Sequence, residues 1–177
     1  MIFVTTGFHC DPFDRLVEWV EDIASQGIFE ELFFVQKAGS KVPLKSCRSI
    51  DFIEMDRFGK YMTDSRAVIT HGGTGSIMTA LMAGKRPIVV PRLKKFGEVC
   101  NDHQLEITNE LQKKNWVYVA TTEPEIVSSL RIVMSKGDSS RYERSNAKLL
   151  TIVSDYLAAV AQEKSRPRGW LRFLVPG

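Results

Sequence analysis

The stretch Ile69-Thr70-His71-Gly72-Gly73-Thr74-Gly75-Ser76-Ile77-Met78-Thr79-Ala80-Leu81 decides how this chain is read. A β-branched, apolar run (Ala67–Thr70) enters it, a helical pattern leaves it, and three glycines lie between. That is the strand, tight loop and helix of one step in a parallel α/β sheet. Glycine lets the backbone bend sharply and lets an anion come close to it. The first turn of the following helix offers N–H groups with no partner inside the helix, and its dipole adds partial positive charge. Thr74 and Ser76 add hydroxyl donors, and either can also cap the helix. A turn that uses glycine for geometry alone has the same outline. The two hydroxyls among the glycines favour an anion site, with phosphate the natural ligand.

Two familiar phosphate loops do not fit. A P-loop needs Gly-Lys followed by Ser or Thr at the start of the helix. Here Gly84-Lys85 is followed by Arg86 and lies at the far end. A dinucleotide fingerprint needs a third glycine where Met78 stands, and it normally follows the first strand rather than the fourth. A nicotinamide dinucleotide is therefore not the expected ligand.

Working outward, short β-rich runs alternate with longer helical ones. Strands are expected at Ile2–Thr6, Leu32–Val35, Ser49–Ile53, Ala67–Thr70, Pro87–Val90 and Trp116–Val119. Helices are expected from Asp11-Pro12 (with Phe13, Leu16, Val17 and Val20 on one face), around Asp56–Met62, at Thr74–Ala83 and at Val99–Lys113. Two more follow near Glu123–Ser135 and Ser139–Gln162. This alternation predicts an α/β fold, a Rossmann-like parallel sheet with helices on both faces. Residues 1–162 form one ligand-binding domain, and 163–177 form a basic, aromatic tail. Ligands of such sheets sit beyond the carboxyl ends of the strands, which points to Thr6–Asp11 and His71–Ser76.

At 177 residues and 44% hydrophobic content the chain can bury one substantial core. Its net charge of +3 does not by itself argue for a nucleic-acid partner. Cys10, Cys47 and Cys100 are too widely spaced for a zinc site or a disulfide framework, which suits a reducing cytoplasm. The opening Met1–Gly7 is too short for a signal peptide, and no run approaches the ~20 apolar residues of a membrane span.

A second constellation lies downstream. Pro91-Arg92-Leu93-Lys94-Lys95-Phe96-Gly97 is a basic loop after the fifth strand, and Asn101-Asp102-His103-Gln104 opens the next helix. Asp102, His103 and Gln104 can bond several hydroxyls at once, as a sugar requires, or can be an ordinary acidic and polar first turn. Arg92, Lys94 and Lys95 can attract a uronic acid carboxylate or simply be solvated.

These segments, with Ile2-Phe3-Val4-Thr5-Thr6-Gly7-Phe8-His9 and Pro12-Phe13-Asp14-Arg15-Leu16, resemble the C-terminal domain of glycosyltransferase family 28 over about Met1–Thr122. Within that family the chain is most similar to single-domain subunits. These are the PssE type of bacterial capsule and exopolysaccharide synthesis, and the small subunit of the eukaryotic two-part dolichol-pathway N-acetylglucosaminyltransferase. The resemblance implies the donor-binding half of a GT-B fold. It implies that Gly73, Thr74, Gly75 and Ser76 cradle the UDP pyrophosphate with Gly72 beside them and His71 at the rim, and that Phe52 and Ile53 hold the uracil. It further implies that Asp102, His103 and Gln104 face the sugar, and that Gly7 and His9 lie near the phosphates. His9 is the only local candidate for a catalytic base. Thr79 stands where the family has a ribose-gripping acid, and Phe8 where it tends to have Thr.

The implied reaction is inverting transfer of a sugar from UDP to a lipid-linked saccharide, with no resident cofactor and no metal required for binding. The partners implied are a membrane-anchored, acceptor-binding glycosyltransferase subunit and the lipid-linked acceptor, not nucleic acid. The chain would then be cytoplasmic, held at the inner face of the plasma membrane through its partner. The lost acid at Thr79 keeps a second reading open, that of a non-catalytic nucleotide-sugar-binding subunit. The apolar arc of Ser139–Gln162 and the basic, aromatic tail suit docking to that partner or to an anionic membrane surface, or else packing on the domain itself.

Overall fold

A computed structural model describes residues 1–8, 11–100 and 103–136, with the side chains of His103 and Lys136 excepted. The elements run β1 (Ile2–Thr5), α1 (Asp14–Ser25), β2 (Phe33–Gln36), β3 (Arg48–Ile50), α2 (Met55–Asp64), β4 (Ala67–His71), α3 (Thr74–Met82), β5 (Ile88–Val90), α4 (His103–Lys113), β6 (Tyr118–Val119) and α5 (Glu123–Lys136). The expected helix Ser139–Gln162, the tail 163–177 and the boundary between them lie outside the described residues, as do His9 and Asp102. No described helix is long and apolar enough to cross a membrane.

Six strands pair in the order β3-β2-β1-β4-β5-β6, every pair parallel. Alternation along the strands sends successive side chains to opposite faces. Ile2 and Val4 join Val35, Ile69 and Val90 on the face covered by Leu16, Val20 and Ile23 of α1 and by Ile126 and Leu130 of α5. Phe3 and Val68 turn the other way, onto Phe58 and Met62 of α2 and Ala80 of α3. Phe3 is the hub of that second layer, with the rings of Phe34, Phe58 and Tyr61 at 6.2, 5.8 and 5.6 Å. Burying a side chain of this size contributes roughly 1.5–3 kcal/mol.

The chain leaves β1 for the α1 face and leaves β4 for the α3 face. These two strands are neighbours, so their loops diverge and a crevice opens between them. The loops that begin at Thr6 and His71 flank it.

Several boundaries differ from the sequence pattern. Helix α1 starts at Asp14 rather than at Asp11-Pro12, with Phe13 as a non-helical N-cap. The carbonyls of Asp11 and Pro12 are turned instead toward the Arg92 guanidinium. Strand β3 stops at Ile50, leaving Phe52 and Ile53 in the connection to α2. Helix α4 is described from His103, Val99 and Cys100 are not helical, and the basic loop contains a 3-10 turn, Lys94–Phe96, closed by Gly97 at φ 71°. Neither Thr74 nor Ser76 caps α3: its N-cap is Gly73, with no side-chain cap bond.

Candidate functional site

The floor of the crevice is polar although the strands beneath it are apolar. Thr5 Oγ1 donates to Gln36 Oε1 (2.6 Å) and accepts the Gly7 N–H (3.1 Å), while Thr6 Oγ1 donates to the Gln36 carbonyl (3.2 Å). All three side chains are fully buried. Such a network ties the first loop to the sheet where it departs, because a buried polar group is costly unless it is bonded. Sequence reading places Thr6 at the head of the first ligand loop but gives Thr5 and Gln36 no role. A polar residue closing an apolar strand is the signal that could have found them.

Above this floor lies the His71 imidazole, held between two glycines. A methyl at Gly7 would sit 2.5 Å from Cε1 and 2.8 Å from Nε2 of that ring. One at Gly73 would collide with Nε2 and lie 2.8 Å from Cε1. Gly7 also has φ 98°, a conformation that L side chains rarely adopt. A methyl at Gly72 would instead meet Gln104, at 2.9 Å from both Cβ and Oε1. At Gly75 it would meet nothing within 4 Å. The three loop glycines thus have separate jobs: Gly72 admits Gln104, Gly73 admits His71, and Gly75 keeps the outer side open.

Burial pushes the His71 imidazole down to about 4, with the nearby Arg92 charge as the second cause, against an opposing contribution from the Thr5 backbone. At neutral pH the ring is therefore uncharged. It can donate or accept a hydrogen bond but brings no positive charge to a phosphate. Electrostatic attraction for an anion comes here from α3, beside the buried Arg92 charge. Its first intrahelical bond runs from Ile77 N to the Gly73 carbonyl, so the amides of Thr74, Gly75 and Ser76 have no partner within the helix. Ser76 is buried, and the Thr79 hydroxyl donates back to the Gly75 carbonyl (2.8 Å).

Arg92 stands apart from the basic loop in which its sequence neighbours place it. It is buried, and its guanidinium donates to the carbonyls of Pro12 (3.1 Å), Asp11 (2.9 Å) and Thr6 (3.4 Å). Its backbone N–H donates to Gln104 Oε1 (3.1 Å), so Gln104 spans from Gly72 to Arg92. Lys94 and Lys95 are exposed, with Lys95 Nζ 4.8 Å from the Phe96 ring. Phe52 and Ile53 separate: Phe52 is 47% exposed, whereas Ile53 packs in the α2/α3 layer. Phe8 is exposed, its ring 4.7 Å from that of Phe58. Asp102 and His9 lie outside the described residues, and of His103 only the backbone is described, at the start of α4. Among the described residues, no three His, Cys, Asp or Glu side chains gather where they could hold a metal ion.

A fully parallel sheet in this order, with a helix N-terminus open at the β1/β4 break, defines a Rossmann-type domain of the kind that makes up one half of a GT-B glycosyltransferase. The glycosyltransferase SnogD from Streptomyces nogalater matches with a TM-score of 0.52 at 18% identity, over 90% of this chain and 44% of its own. The calicheamicin glycosyltransferase CalG4 matches at 0.55 and 16%, over 93% and 44%. The chain belongs to the glycosyltransferase family 28 C-terminal domain family, whose pattern it matches over residues 1–160. A curated relative, the UDP-N-acetylglucosamine transferase subunit ALG13 of Yarrowia lipolytica, is 33% identical over 131 residues. That match covers 68% of this chain and 64% of the relative's length.

Proposed function

We propose that this chain is the UDP-sugar-binding, catalytic subunit of a two-part inverting glycosyltransferase, acting on a lipid-linked saccharide in bacterial exopolysaccharide or capsule synthesis. The observation that carries the reading is the uncapped N-terminus of α3, open at the β1/β4 break in a chain of this family. In the transfer, the bond from the anomeric carbon to UDP breaks as a bond to the acceptor oxygen forms on the opposite face. Negative charge builds on the departing diphosphate, and the acceptor proton passes to a base. Pre-aimed amides at Thr74–Ser76 with the α3 dipole stabilise that charge as it develops. Phe52, exposed beyond β3, is the side chain that can stack on a base, while Ile53 offers only main chain. A partner subunit would bring the acceptor and the membrane attachment, in keeping with a relative that is itself named a subunit. That relative's name also makes UDP-N-acetylglucosamine the first donor to test.

The open side of Gly75 supplies the direct test. Gly75→Val puts a branched side chain where the diphosphate would lie, at a position whose Cβ meets no protein atom within 4 Å. Calorimetry should show UDP binding weakened at least tenfold, with a melting temperature no lower than wild type. A folded variant that binds UDP like wild type would refute the reading.

Thr79 is one turn along α3 from Gly75, with its hydroxyl committed to the Gly75 carbonyl. Thr79→Glu should restore a ribose-gripping carboxylate and tighten UDP several-fold, without tightening inorganic pyrophosphate. Equal effects on the two ligands would mean that position 79 does not face a ribose. The same committed hydroxyl favours the second reading, a donor-binding subunit that activates a self-sufficient partner. Transfer by the reconstituted pair, compared with each subunit alone, separates the two.

A further inference from the structure

We propose that Arg15, Arg92 and Glu98 are positioning residues that clamp the β1–α1 loop to the segment after β5, across the end of β4, and so set the width of the donor crevice. This rests on the donor-binding role proposed above. The bonds run in both directions. From the β5 side, Arg92 reaches the carbonyls of Thr6, Asp11 and Pro12. From the α1 side, Arg15 NH2 donates to the Pro91 carbonyl (2.9 Å), and its fork pairs with Glu98 through Nε–Oε1 (2.7 Å) and NH2–Oε2 (2.9 Å). Glu98 Oε2 also accepts the Leu93 N–H (2.8 Å), which pins the 3-10 turn. Both guanidinium groups lie over the fully buried Phe13 ring, Arg92 at 4.6 Å and Arg15 at 5.2 Å.

Sheet order gives this brace its meaning. β4 stands between β1 and β5, so any link from the first loop to the Pro91–Glu98 segment must pass the His71–Ser76 loop. The first loop presses Gly7 against His71, and the Arg92 backbone holds Gln104 against Gly72. The glycine loop is thus held from both flanks by one connected set of bonds. The Arg15 and Glu98 side chains are only 11% and 10% exposed, so water and salt screen the pair weakly. A lysine at 15 keeps the charge but loses the planar fork that serves Glu98 and Pro91 together.

The test compares full-length wild type with Glu98→Gln and, as an independent variant, Arg15→Lys. It reads amide hydrogen exchange together with affinity for UDP and for inorganic pyrophosphate. Glu98→Gln keeps an acceptor for Leu93 but removes the charge pair. Exchange at Gly7, Phe8 and Phe13, more than eighty residues away in sequence, should accelerate about tenfold while β2 amides are unchanged. UDP and pyrophosphate should both weaken about tenfold, because the clamp acts on the diphosphate end of the crevice. In a folded variant, wild-type exchange at these amides, or UDP affinity within twofold of wild type, would overturn the clamp. Failure of wild type itself to bind UDP would instead overturn the donor-site reading and the clamp's purpose with it, and exchange would still show whether the two loops are linked.

Discussion

Gly73→Ala should destabilise the domain by about 1–3 kcal/mol, and adding His71→Ala should return most of that loss. The backbone at Gly73 has φ −74°, which any L residue adopts, and the nearest atoms a methyl would strike all belong to the His71 imidazole. Removing the ring removes the obstacle, and the new methyl partly fills the space left behind. Gly7→Ala makes the contrast. It meets the same ring but also carries φ 98°, which costs a side chain roughly another 1–3 kcal/mol. In the His71→Ala background, Gly7→Ala should therefore remain destabilising. Urea denaturation of both double-mutant cycles measures this. Simple additivity of Gly73→Ala and His71→Ala would show that the ring and the loop do not interlock.

The second large effect is on acid stability. The His71 imidazole is pushed down from its ordinary 6.5 to about 4 by burial and by Arg92. Below pH 6.5 the unfolded chain takes up a proton that the folded chain refuses, so stability falls with pH until folded His71 itself titrates near 4. A shift of that size corresponds to a loss on the order of 3 kcal/mol between neutral pH and pH 4. Glu21 and Glu125, whose carboxylates accept backbone N–H bonds, are held below the usual range and add a further decline at more acid pH. The difference between wild type and His71→Gln isolates the histidine, because all other groups are common to both. His71→Gln should flatten the stability profile between pH 6.5 and 4.5 and leave the lower limb in place. An NMR titration of His71 with a midpoint near 6.5 would contradict this.

Much of the fold is legible in the residues, because period-2 and period-3.6 patterns report which face is buried. Ile2–Thr5, Ala67–His71 and Thr74–Met82 fall within a residue of where those patterns put them. The same alternation points to where a ligand of such a sheet would sit. The roles of the glycines do not follow from it, because they depend on where one imidazole points. In sequence Gly73 reads as part of a phosphate cradle; in space it also leaves room for the His71 ring, a role no local pattern announces. Arg92 was similarly opaque. Beside Lys94 and Lys95 it looks like part of one basic surface, yet its partners are carbonyls some eighty positions earlier. Arg15 and Glu98, also distant in sequence, left no local pattern to read.

The position of β1 bears on how the protein is made. Ile2-Phe3-Val4 is fully buried and bonded on both sides, but its second neighbour, β4, begins about 65 residues later in the chain. At a synthesis rate of ~5–20 residues per second, this apolar segment leaves the ribosome several seconds before that neighbour exists. During that interval it is a sticky strand with at least one edge unpaired. Expression yield should therefore respond to chaperone supply and growth temperature more than the finished domain's stability would suggest.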